Sequence, residues 1–126
     1  WYGKGMYYQQ NGKDSAALDC YAEISRIDST NALAWYNSGY ISLEHLHDNL
    51  HAKQDFSKAI QLVPGYADAW YNRGLAMERS NELDSAAANY EIVMGMQPHH
   101  ELAAEGLDRL QAQGVRIKIR ETKGRK

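Results

Sequence analysis

The feature that most constrains this chain is a spaced block that occurs twice, as Ala34-Trp35-Tyr36-Asn37-Ser38-Gly39 and as Ala69-Trp70-Tyr71-Asn72-Arg73-Gly74. The two tryptophans are 35 residues apart, and Trp1 stands 34 residues before the first of them. In that register Gly5, Gly39 and Gly74 align, followed by Ala17, Ala52 and Ala86, and then by the aromatic Tyr21, Phe56 and Tyr90. Self-similarity at a fixed period marks a repeat architecture, in which no unit buries its own apolar face and stacking on a neighbour completes the core, and the units here read as helical. Composition agrees. Pro64 and Pro98 are the only prolines, and the first hundred residues hold no alternating Val/Ile/Thr run, whereas Ala, Leu, Gln, Glu and Asn are common.

The pattern resembles the tetratricopeptide repeat, which has a Trp, a Gly four residues on, an Ala twelve beyond, an aromatic four further and a closing Pro. Three copies carry the resemblance across residues 1–98. They depart from it where Ser29 replaces the closing proline, where Ile24 and Val93 replace the small residue kept as Ala59, and where Ser42 and Met77 replace the aromatic kept as Tyr8. The implied fold is all-α, a right-handed solenoid of three helix-turn-helix repeats, at about 1–31, 32–66 and 67–100, with a capping helix. Gly and Ala facing one another let the paired helices approach closely, while Trp and the second-helix aromatic fill the space around that contact. Helices are expected at about 1–11, 14–27, 32–46, 50–62, 67–80, 84–96 and 100–113.

Local chemistry supports these breaks. Pro64 and Pro98 disfavour helical geometry in the residue before them, and Gly12 and the Asn81/Asp84 neighbourhood supply turn and N-cap chemistry. Gly39 to Ala52 is one residue longer than Gly5 to Ala17 or Gly74 to Ala86, so a residue is inserted between the helices of the second repeat. In the capping helix Leu102, Leu107 and Leu110 form the expected apolar stripe, and Gly114 fits its stop. The first repeat lacks its first three positions, which implies sequence upstream. The repeat domain is thus expected to span 1–114, followed by a basic tail or linker at 115–126.

The resemblance implies that the first helix of each repeat lines a concave groove that holds a protein or peptide partner. Tyr2, Tyr36 and Tyr71 recur after the tryptophan position and Asn37 and Asn72 one residue later, with Met6, Tyr40 and Leu75 a turn further on. Gln9, Glu44, Glu78 and Arg79 are expected towards the rim. An asparagine amide both donates and accepts, so it can pair with a ligand's main chain, and tyrosine supplies contact area at low entropic cost. Members that grip a terminal carboxylate do so with Lys, Asn and Arg. Here Tyr2, Met6, Asp68 and Asn72 stand at four of those five positions and only Asn37 matches, so that activity is not expected. The alternatives are a structural spacer or self-association domain, and an accessory domain regulating a linked catalytic one.

Other chemistries find little footing. His45, His47 and His51 surround the inserted residue and His99-His100 precede the last helix, but i and i+2 residues on a helix face apart and no metal-ligand motif accompanies them. No phosphate loop, nucleophile elbow or paired acid placement occurs, so no enzyme and no cofactor is expected. The single Cys20 falls among apolar helix positions and reads as a buried thiol. No apolar stretch approaches the roughly 20 residues that span a bilayer, and the amino terminus does not read as a signal peptide.

Residues 115–126 carry six Lys/Arg against one Glu, although the net charge is -2, so an acidic body is followed by a basic tail. Val115 to Arg120 alternate apolar and basic residues, the period of a short strand. Without interleaved aromatics the tail is not expected to bind nucleic acid, and reads as a linker or as a segment for docking on a partner or a neighbouring copy.

Overall fold

The computed structural model describes residues 2–120, so Trp1 and residues 121–126 lie outside the described part. Among the described residues seven helices lie complete, one after another: α1 Tyr2–Gln10, α2 Asp14–Ile27, α3 Ala32–Glu44, α4 Asn49–Leu62, α5 Ala67–Arg79, α6 Leu83–Met96 and α7 Glu101–Ala112. Consecutive helices pack on each other, and α3 also touches α5. The chain is therefore a stack in which α1/α2, α3/α4 and α5/α6 are antiparallel pairs and α7 covers the end.

Close approach within each pair comes from the aligned glycines. A Cβ added at Gly5, Gly39 or Gly74 would come within 2.9 Å of Tyr21, Phe56 or Tyr90 respectively. Those three rings are fully buried, as are Ala17, Ala52 and Ala86. Burying each ring contributes about 1.5–3 kcal/mol, which no single hairpin could realise without its neighbour.

The turns inside the pairs each contain one residue in the left-handed region: Gly12 at φ 71, His47 at φ 54 and Asn81 at φ 62. The second turn spans residues 45–48 and is one residue longer than those at 11–13 and 80–82, which places the inserted residue. Asp48 caps α4, its side chain accepting from the His51 amide at 3.1 Å. Asp84, expected to help cap α6, instead sits in its first turn, where its negative charge is favoured by the positive end of the helix dipole. Between pairs the tryptophan indoles act as ties. Trp35 Nε1 donates to the Ser29 carbonyl at 3.1 Å and Trp70 Nε1 to the Pro64 carbonyl at 2.8 Å. The acceptor is main chain, so the tie survives the loss of proline at position 29.

Two expectations are corrected at the carboxyl end. Leu102 is 53% exposed, because the buried face of α7 is Ala103, Gly106, Leu107 and Leu110, spaced as a single helical stripe one residue later. Gly114, at φ 93, ends α7, with the Val115 amide donating to the Leu110 carbonyl at 3.0 Å. The chain after it is no strand: residues 118–120 are helical. Ile117 is 2% exposed in the same core as Tyr90, Leu107 and Leu110, with Val115 and Ile119 packed against it. The alternation read as a strand is an apolar face folded back on α6 and α7, so the described part of the tail belongs to the domain rather than to a linker. Glu91 accepts the Ile119 amide at 3.1 Å and Asp108 pairs with Arg120 at 2.6 Å, which fixes that return.

Candidate functional site

The expected groove residues come from α1, α3 and α5. Met6, Tyr36, Asn37 and Tyr40 converge, with Gln9 and Gln10, on a cleft of about 310 Å³ between the first and second repeats. Tyr71 and Leu75 line a second depression further along, with Glu78, Arg79 and Arg109. Tyr2 and Asn72 line neither of these two hollows.

The asparagines have a specific structural use. Asn37 Nδ2 donates to the Tyr2 hydroxyl at 3.1 Å, and Asn72 Nδ2 donates to the Tyr36 hydroxyl at 2.9 Å. Each bond links the first helix of one repeat to the first helix of the next. Asn72 is only 7% exposed, so its amide ties repeats together. Tyr36 is further fixed by stacking on Tyr66 at 5.0 Å between centroids and by its contact with Phe56 at 5.6 Å. Burial, followed by the negative charge of Asp68, pushes the Tyr36 phenol well above its ordinary pKa, so it remains a neutral hydroxyl. Tyr40 is the outlying ring of the group, 36% exposed and 6.5 Å from Tyr36.

Two of the expected rim residues, Gln9 and Glu78, accept from buried rings. Tyr21 donates its hydroxyl to Gln9 Oε1 at 2.7 Å, and Tyr90 donates to Glu78 Oε1 at the same distance. The equivalent ring in the second repeat is Phe56, which has no hydroxyl, and the equivalent partner is Leu43, fully buried. Within each repeat the two positions match: a tyrosine faces an acceptor and a phenylalanine faces a leucine. That signal was present in the three aligned copies, twelve or thirteen residues apart, and went unread.

Glu78 also receives Arg109 from α7 in a two-pronged pair, Nε donating to Oε2 at 2.9 Å and Nη2 to Oε1 at 3.0 Å. Burial pushes the Glu78 carboxyl up, but hydrogen bonds from Arg109 and Tyr90 and the charges of Arg109 and Arg79 outweigh it and hold it below the ordinary value. Arg79 in turn meets Glu44 at 3.3 Å. The two arginines on this face are therefore each matched by a carboxylate.

His100 has a role that sequence reading missed. Its Nδ1 accepts the Ala103 amide at 3.0 Å and caps α7, while its ring lies 5.4 Å from Tyr71. His45 faces Asp14 at 3.6 Å and His51 faces Asp48 at 3.4 Å, in different directions. Among the described residues no three His, Cys, Asp or Glu side chains converge as metal ligands, and no helix is long and apolar enough to cross a membrane.

A stack of glycine-packed helix pairs with a lined inner face defines the class of helical-repeat interaction scaffolds. Within it the chain belongs to the tetratricopeptide-repeat family. No family model matches it. Similar solved structures include the first tetratricopeptide domain of Spaghetti (RPAP3) bound to an HSP90 peptide, 28% identical with a TM-score of 0.85, each chain covered to 90%. The second such domain of human RPAP3, in complex with an HSP70 peptide, is 27% identical with a TM-score of 0.82, covering 86% of this chain and 90% of that one. The Arabidopsis OM64 domain is 25% identical with a TM-score of 0.83, covering 88% and 91%. Among curated proteins, human RNA polymerase II-associated protein 3 is 30% identical over 77% of this chain, and human protein O-mannosyl-transferase TMTC3 is 28% identical over 64%. The matched segments span 14% and 9% of those two proteins.

Proposed function

We propose that this domain is a non-enzymatic adaptor that holds a peptide segment of a partner protein along the face made by α1, α3 and α5. The observation that carries the reading is the cleft of about 310 Å³ in which Met6, Tyr36 and Tyr40 present apolar surface beside the Gln9, Gln10 and Asn37 amides. A concave apolar floor with a few placed polar groups is the usual make-up of a binding site. The likeness to domains that carry a bound chaperone peptide supports it. In this reading Met6, Tyr36, Asn37, Tyr40, Tyr71 and Leu75 touch the ligand, while Tyr2 and Asn72 hold the floor in place.

The test is selection from a displayed library of random dodecapeptides. Peptides should be recovered whose affinity falls about ten-fold or more in the Met6→Ala/Tyr40→Ala double variant, since losing two apolar anchors removes about 1.5–3 kcal/mol. Failure to recover any peptide, or recovery only of peptides indifferent to that variant, overturns the groove.

A further inference from the structure

Asp68 stands in the first turn of α5, and among the described residues it has no ion-pair partner. It is exposed, in a depression of about 480 Å³ with Leu33, Val63 and Tyr66. Leu33 and Val63 are 43% and 44% exposed, so the depression offers bare apolar surface directly beside the carboxylate. Its Tyr66 ring stacks on Tyr36, which forms a wall of the Met6/Tyr40 cleft, so the two hollows share one aromatic partition. The Asp68 charge is close enough to raise the pKa of both phenols.

The balance of charge on the face follows from pairing. Arg79 and Arg109 are engaged by Glu44 and Glu78, which leaves Asp68 as the unmatched charge at the aromatic partition. A ligand carboxylate brought here would be repelled by that charge. A ligand ammonium or guanidinium would meet a carboxylate and tyrosine rings, and each of these attracts a cation.

We infer that the segment this groove takes carries a Lys or Arg next to an apolar residue, the cation seated at Asp68 beside Tyr36 and Tyr66 and the apolar side chain on Leu33 and Val63. This rests on the groove reading above and specifies its ligand as a basic peptide. It also distinguishes the domain from relatives solved with acidic chaperone peptides, whose sequences SRMEEVD and SGPTIEEVD carry clustered carboxylates.

The dodecapeptide selection decides it. Groove-dependent peptides should be enriched in Lys or Arg flanked by an apolar residue. A selected peptide should lose about five-fold in affinity on Asp68→Asn, about 1 kcal/mol, and more on Asp68→Lys. Asp68→Glu should retain most of it, and added salt should weaken wild-type binding more than that of Asp68→Asn. Asp68 also favours the α5 helix dipole, a purely structural effect that would move thermal stability without making binding salt-dependent. Peptides that need Met6 and Tyr40 yet are neutral or acidic overturn the inference and leave the groove standing. Absence of any groove-dependent peptide overturns both.

Discussion

The Asn72–Tyr36 hydrogen bond makes a quantitative claim about what joins the repeats. The amide and hydroxyl are 2.9 Å apart, and Asn72 is 7% exposed, so little water can replace a lost partner. Tyr36→Phe keeps the ring stacked on Tyr66 but leaves an amide N–H without its acceptor, at a cost of about 1–3 kcal/mol. Asn72→Ala removes the donor and some packing, at about 1–2 kcal/mol, with a smaller penalty at the tyrosine because its hydroxyl can also donate. In the double variant neither orphan exists. The two single losses should therefore exceed the double loss by about 1 kcal/mol. Urea denaturation followed by helical circular dichroism, on the four proteins of the cycle, measures this directly, with unchanged denaturant slopes as the control for cooperative unfolding. Strict additivity, or an Asn72→Ala protein as stable as the parent, would refute the view that this asparagine joins repeats.

Three further outcomes are expected. Phe56→Tyr places a hydroxyl against fully buried Leu43 and should destabilise by about 1–3 kcal/mol, with Leu43→Gln restoring part of the loss in chemical denaturation because the other repeats pair Tyr with an acceptor there. Glu78 has its folded pKa below the unfolded value of about 4.3, so its contribution is present above that pH and disappears as pH falls through the folded value. Urea midpoints compared at neutral pH and near pH 3 should converge between the parent and Glu78→Gln at the acid end, and an equal gap at both would contradict the pairing. Ile117→Ala should cost about 2–4 kcal/mol in the same assay, since this side chain is 2% exposed; a loss under about 0.5 kcal/mol would return the segment to a linker.

The carrying of a fold by spacing explains why so much was legible beforehand. Helix existence and pairing follow from residues that recur at fixed intervals, because Gly39 against Phe56 and Gly74 against Tyr90 are the same contact made twice. The extra residue in the second turn could be counted before it was seen at 45–48. That Met6, Tyr36, Asn37 and Tyr40 meet at one cleft also follows from the register, since a repeat presents equivalent positions to equivalent surroundings. Leu102 was misjudged because it lies on the edge of a stripe, where one residue of rotation moves a side chain from core to water.

Sequence alone therefore determined the repeat, its register, the all-helical stack and the set of side chains on its first helices, since these depend on local period and on contacts that recur. Tertiary structure decided how those side chains are used. Whether Asn72 faces a ligand or the Tyr36 hydroxyl, whether Arg79 and Arg109 are free or matched, and whether Ile117 trails in solvent or enters the core depend on distances between segments far apart in the chain. A hydrogen bond or a buried methyl group is a relation between two places, and no single interval in the sequence encodes it.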